Sequence, residues 1–205
     1  MPITTPSPLL LALREGTRDC HKALEARLPF FSPGFDSAAY RRLLQAYYGF
    51  HAPLEHHLSE YQGPERRKTA TLARDLLALN LSEADIAALP QCQALPAIRD
   101  EASALGVMYV LEGSTLGGQV LKRAMAERLG IGHDSGAAFL DVYGELTGSY
   151  WRSFLERLGQ ASAAAPAQAI TVQAAVDTFT CFEAWLDQRN VLNQHPRSRT
   201  NGLKD

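Results

Sequence analysis

At 205 residues the chain has the length of one domain and can bury a sizeable core. Its 20 Lys and Arg nearly balance 22 Asp and Glu, for a net charge of −2, so no overall basic field exists to recruit nucleic acid. Cys20, Cys92 and Cys181 are far apart and outside any CxxC, which excludes a zinc or iron–sulfur pattern and points to a reducing, cytoplasmic setting. The apolar stretch Leu9–Leu13 soon meets Arg14 and Glu15, so no secretory leader is expected. No run approaches the ~18 apolar residues of a membrane span.

Helical periodicity and helix punctuation dominate, and strand alternation is scarce. Ser7-Pro8 predicts a cap and first position for a helix to about Leu28, stopped by Pro29. Phe30 to Phe35 reads as a loop. Asp36 or Ser37 then caps an aromatic-rich helix running past His57, with Pro53 expected to kink it near Gly49. Glu65 to Leu79 is amphipathic. Ser82-x-x-Asp85 is an acidic capping box opening a short helix that ends before Pro90. One long helix is expected from about Arg99 to Leu129, stopped by Gly130, followed by a turn at Gly132–Gly136. Ala137 to Leu158 reads as helical with a break near Gly144 or Gly148. Gln160 to Pro166 reads as a small-residue linker, and Thr171 to Gln188 as the last helix. The expected fold is all-α: a single domain of seven to eight helices over residues 1–190, then a flexible tail at 191–205.

Two features stand out. Gly113-Ser-Thr-Leu-Gly117-Gly118 lies inside the predicted long helix, where each glycine costs about 1 kcal/mol relative to Ala. Gly113 and Gly117 share a face with Gly118 beside them, so close helix packing or a broad flat ligand on bare backbone would explain them. The other feature is His21, with Arg14, Arg18 and Glu25 on the same side of the first helix. A solvated charged face explains that pattern; so does a metal ligand whose second ring nitrogen is held by Glu25. A lone histidine holds a bare metal poorly. A flat macrocycle bringing four ligands of its own needs only one more, and that describes haem.

Leu13-Arg-Glu-Gly-Thr-Arg-Asp-Cys-His21-Lys-Ala-Leu-Glu25 resembles the proximal helix of haem oxygenases, and Tyr109-Val-Leu-Glu-Gly113-Ser-Thr-Leu-Gly117-Gly118-Gln-Val-Leu resembles their distal helix. Both occur in the family's order and separation, and the likeness covers essentially the whole chain. It is nearer the bacterial members, including those that make biliverdin for phytochromes.

That resemblance implies oxidative cleavage of haem to biliverdin, carbon monoxide and ferrous iron with dioxygen and external electrons. His21 would be the iron ligand and Glu25 its partner, with Gly113, Gly117 and Gly118 letting the distal helix lie over the ring. Where mammalian members place an Asp, this chain has Ser114, so the water-organising role must be filled differently. His51 is the candidate, and a surface histidine beside His56 and His57 fits the sequence equally well. Arg14, Arg18 and Arg152, with Tyr109, would meet the propionates; Phe179 and Phe182 would wall the pocket or simply fill core. Ferredoxin or flavodoxin with its reductase, or ascorbate, would supply electrons, and a phytochrome would be a recipient of the product. A non-catalytic haem carrier or sensor on the same fold is the alternative, and a thiaminase-like helical enzyme without haem a third reading.

Overall fold

The structure, a computed structural model, describes residues 6–161 and 164–194. Among them are eight α-helices, several short 3-10 turns and no strand. They are α1 (Pro8–Arg27), α2 (Ser37–His57), α3 (Thr69–Ala78), α4 (Glu83–Ala87), α5 (Glu101–Gly113), α6 (Gly118–Leu129), α7 (Thr147–Gln160) and α8 (Ala165–Gln188). The all-α expectation is met.

Local signals set many boundaries. The Ser7 hydroxyl accepts from Leu10 N at 3.2 Å to open α1. Asp36 does the same for α2, accepting from Ala39 N at 2.7 Å. Ser82 and Asp85 form the reciprocal capping box of α4. Helix α2 runs without interruption through Pro53. Proline has no N–H to offer the Gly49 carbonyl, and Cys92 N takes its place at 2.8 Å, docking the loop after α4 on this turn.

Helix α5 is the centre of the molecule. It is apolar on nearly every side, with Ala104, Leu105, Val107, Met108 and Leu111 all buried, and packs most extensively on α8, against which α1 also lies. At that crossing Gly106 faces Ala174 and Ala175, and a Cβ on it would stand 2.1 Å from the Thr171 carbonyl oxygen. The tight small-residue seam of this fold is therefore here.

Several expectations are corrected. The single helix over 99–129 is two helices, α5 and α6, joined by a 3-10 turn at Ser114–Gly117. The helix expected from Glu65 begins at Thr69, after a 3-10 turn at Pro64–Arg66. Ala137 to Leu146 is not helix but a pair of 3-10 turns, Phe139–Asp141 and Gly144–Leu146. The break falls at Gly144, whose φ of +53° suits glycine. Helix α8 starts at Ala165 rather than Thr171, with Pro166 in its first turn, where the missing N–H costs nothing. The loop after Pro29 contains a 3-10 turn at Pro29–Phe31. The start of the expected tail is docked: Leu192 is buried and Asn193 N donates to Arg27 O at 2.8 Å. Residues 195–205 of that tail, and 162–163 of the expected linker, lie outside the described residues.

The turn at 138–141 is held by one carboxylate. Asp75 on α3 accepts from Ala138 N at 3.1 Å and from Phe139 N at 2.7 Å. Burial pushes its pKa up against the pull of those two N–H groups. This clamp places Leu140 against α6 and turns Phe139 toward the interior.

Candidate functional site

A cavity of about 470 Å³ opens between α1, α2, the α5–α6 junction and α8, within the range of about 300–1,000 Å³ usual for small-molecule sites. Its wall is mostly apolar, with Tyr47, Phe50, Phe139, Trp151, Phe179 and Phe182 contributing rings.

Helix α1 brings Arg14, Thr17, His21 and Glu25 to this cavity, all from one face at helical spacing. The His21 side chain is 54% exposed, and its Nε2 lies 3.3 Å from Glu25 Oε1. Its ring packs at 48° on Phe179, centroids 5.4 Å apart. The ring thus reaches an apolar cavity with a carboxylate beside one of its nitrogens. Arg18 is not on the wall; it faces solvent and pairs with Asp19 at 3.5 Å. Arg152 is likewise exposed and off the wall, although its neighbour Trp151 lines it.

The glycine segment divides into distinct roles. Gly113, Gly117 and Gly118 all have right-handed helical dihedrals, so none is present for backbone freedom. A Cβ on Gly117 would meet nothing within 4 Å, because that face opens on the cavity. On Gly118 it would stand 1.8 Å from the Leu140 carbonyl oxygen. On Gly113 it would only reach ordinary contact with Trp151, at 3.9 Å. Close packing thus explains Gly118, and open space explains Gly117. Ser114 and Thr115 line the cavity, but their hydroxyls donate back to Leu111 O at 2.8 Å and Glu112 O at 2.7 Å. Tyr109 also reaches the wall and packs on Trp151.

His51, on α2, is no surface residue. It is 4% exposed and lines the cavity, enclosed by Tyr47, Phe50 and Phe139. Its Nδ1 is 3.7 Å from Glu55 Oε1 and has no hydrogen-bond partner. Burial pushes the Glu55 carboxyl up, but the His51 imidazole, the Thr69 hydroxyl and the Lys68 backbone N–H outweigh it and hold the pKa at about 2. Because the folded value is below the ordinary 4.5, the stabilisation is present above that pH and is lost as pH falls toward 2. We expect urea unfolding to show a wild-type component of roughly 3 kcal/mol that disappears over this window and is missing from Glu55→Gln. Parallel pH profiles for the two proteins would contradict it.

A buried ionic cluster borders the cavity, with Lys68 on its wall. The Lys68 ammonium donates to Glu112 Oε1 at 2.9 Å, Tyr143 Oη at 3.0 Å and Arg66 O at 3.1 Å, using all three protons. Arg66 holds the other Glu112 oxygen and reaches Ser153 Oγ on α7 at 2.7 Å. Burial and the Glu112 charge push the Tyr143 phenol far up, so it stays a donor, to Glu112 at 2.9 Å. Glu112 immediately precedes the glycine segment, so this cluster anchors the end of α5 to the segment leading into α3 and to α7. The sequence reading missed Glu55, Arg66, Lys68, Glu112 and Tyr143. Only Glu55 carried a local signal: His51-x-x-x-Glu55 repeats the spacing of His21-x-x-x-Glu25.

The fold and site define an all-α protein whose cavity is bounded both by a histidine–glutamate pair and by side-chain-free backbone. A family model described as Heme oxygenase matches residues 7–188, and the chain belongs to that family. No curated protein matches the sequence. The fold is shared with the haem oxygenase of Leptospira interrogans (TM-score 0.69, 20% identity, 88% of this chain and 98% of that one). It is also shared with haem oxygenase-1 of the cyanobacterium Synechocystis in complex with haem (0.71, 18%, 89% and 93%). The NO- and CO-bound haem oxygenase of Neisseria meningitidis is a third similar structure (0.64, 20%, 96% and 98%). No helix among the described residues is long and apolar enough to cross a membrane.

Proposed function

We propose that this protein cleaves haem oxidatively to biliverdin, carbon monoxide and ferrous iron, using dioxygen and electrons delivered by a small soluble carrier such as a ferredoxin or flavodoxin. The observation that carries this reading is that one cavity is lined by both His21 and the bare face of Gly117. Among the described residues no cluster of three His, Cys, Asp or Glu is placed to hold a bare metal, so a lone histidine suits a metal that arrives in its own macrocycle. Bound haem supplies the redox chemistry, and the protein supplies position and polarity.

In this assignment His21 is the iron ligand and Glu25 holds the imidazole in place. The apolar rings and Gly117 receive the flat face. Arg14 is the arginine assigned to the haem carboxylates, since Arg18 and Arg152 stand off the wall. Ser114, with its proton bonded to Leu111 O, offers only acceptor lone pairs, and His51 is the polar group best placed to order water in the cavity.

Titration of the apoprotein with hemin tests the binding step and is expected to saturate at one haem per chain. Ascorbate added to the complex should then replace the Soret band by a biliverdin band. A complex whose Soret band persists would identify a carrier or sensor instead, and no saturable complex would defeat the haem reading.

A further inference from the structure

We propose that Glu55 is a positioning residue that fixes the proton of neutral His51 on Nδ1, so that the ring meets a molecule in the cavity through Nε2 as a hydrogen-bond acceptor. The inference deepens the haem-site reading and rests on it for its functional meaning. Its geometry comes from three facts. The Nδ1 atom is sealed from solvent without a hydrogen bond, and Glu55 Oε1, one helical turn along, lies 3.7 Å away. The carboxylate itself is pinned from the start of α3 and the residue before it: Lys68 N donates to Oε1 at 2.6 Å, while Thr69 N and Thr69 Oγ1 donate to Oε2 at 3.1 Å and 2.7 Å. A carboxylate has about four acceptor positions, so three are filled and one is left on the side of His51.

An ionised carboxylate only accepts hydrogen bonds, and the three donors from Lys68 and Thr69 favour that form of Glu55. A lone pair on Nδ1 would face that charge unfavourably, whereas an N–H there is drawn to it. The tautomer of a histidine is set by the bond its other nitrogen makes. Lys68, the nearby cation, does not compete, because its three protons are already committed. The rings of Tyr47, Phe50 and Phe139 enclose the imidazole. In its neutral form the ring thereby gives the cavity an acceptor that can hold a water.

The test is ¹⁵N NMR of the full-length, haem-free protein labelled at histidine, above the histidine titration range. His51→Gln removes one signal and so assigns it. We expect that signal to report a protonated Nδ1 and an unprotonated Nε2, the reverse of the form that imidazole prefers in water. In Glu55→Leu the preference should return to Nε2–H. A wild-type ring protonated on Nε2 overturns the proposal, as does an unchanged Nδ1–H form in folded Glu55→Leu; if that variant does not fold, the wild-type tautomer decides alone. The result is independent of haem: failure of hemin to bind defeats the proposed function, and the wrong tautomer beside normal haem binding defeats only this inference.

Discussion

His21→Ala is expected to abolish haem turnover and leave the fold intact. The side chain is 54% exposed, its polar partner Glu25 is exposed too, and its ring packs on Phe179. Changes at such positions usually alter stability by no more than about 0.5 kcal/mol. In the proposed assignment the imidazole is the nitrogen ligand that α1 brings to the cavity, and Glu25 orients a ring that would no longer be there. Thermal unfolding should therefore match wild type, while the absorption spectrum of added hemin and the ascorbate-driven loss of the Soret band should both change completely. Turnover at the wild-type rate would show that the iron ligand lies elsewhere.

The second large effect is a contrast between adjacent glycines. Gly117→Leu should fold as well as wild type or better, because the position is helical in its dihedrals, has room for a Cβ, and loses a glycine cost of up to about 1 kcal/mol. Its branched side chain would nevertheless project into the cavity and block entry of a flat ligand. Gly118→Ala should do the opposite. Its single methyl would stand 1.8 Å from a carbonyl oxygen of the 138–141 turn, which Asp75 clamps from the other side. Overpacking against backbone that cannot yield costs about 1–3 kcal/mol or more. Hemin titration and chemical denaturation on both variants would separate the roles. Unchanged haem affinity in Gly117→Leu would contradict the placement of the ligand on this face.

The part of the site that was legible came from short-range spacing. Arg14, His21 and Glu25 lie on one helical face whatever surrounds them, and the structure puts all three on the cavity wall. Arg18 sits at a neighbouring helical offset and turns out to face solvent, since a few tens of degrees around α1 separate cavity from water. The glycine segment announced itself by composition, yet sequence could not separate packing from ligand access. That difference depends on Leu140, a residue more than twenty positions away.

Helix starts at Ser7-Pro8, Asp36 and Ser82 were determined by the chain itself, because a cap satisfies donors within three residues and needs no distant partner. The all-α class follows from the same local periodicity. Tertiary structure alone decided that the expected long helix divides at Ser114, that residues 137–146 coil into 3-10 turns, and that Lys68, Glu112, Arg66 and Tyr143 meet in one buried cluster. Those groups are charged or polar, and nothing in their own neighbourhoods makes burial favourable. Only the mutual satisfaction of donors and acceptors brought from the segment before α3, from α5 and from Tyr143 offsets the cost of taking them out of water.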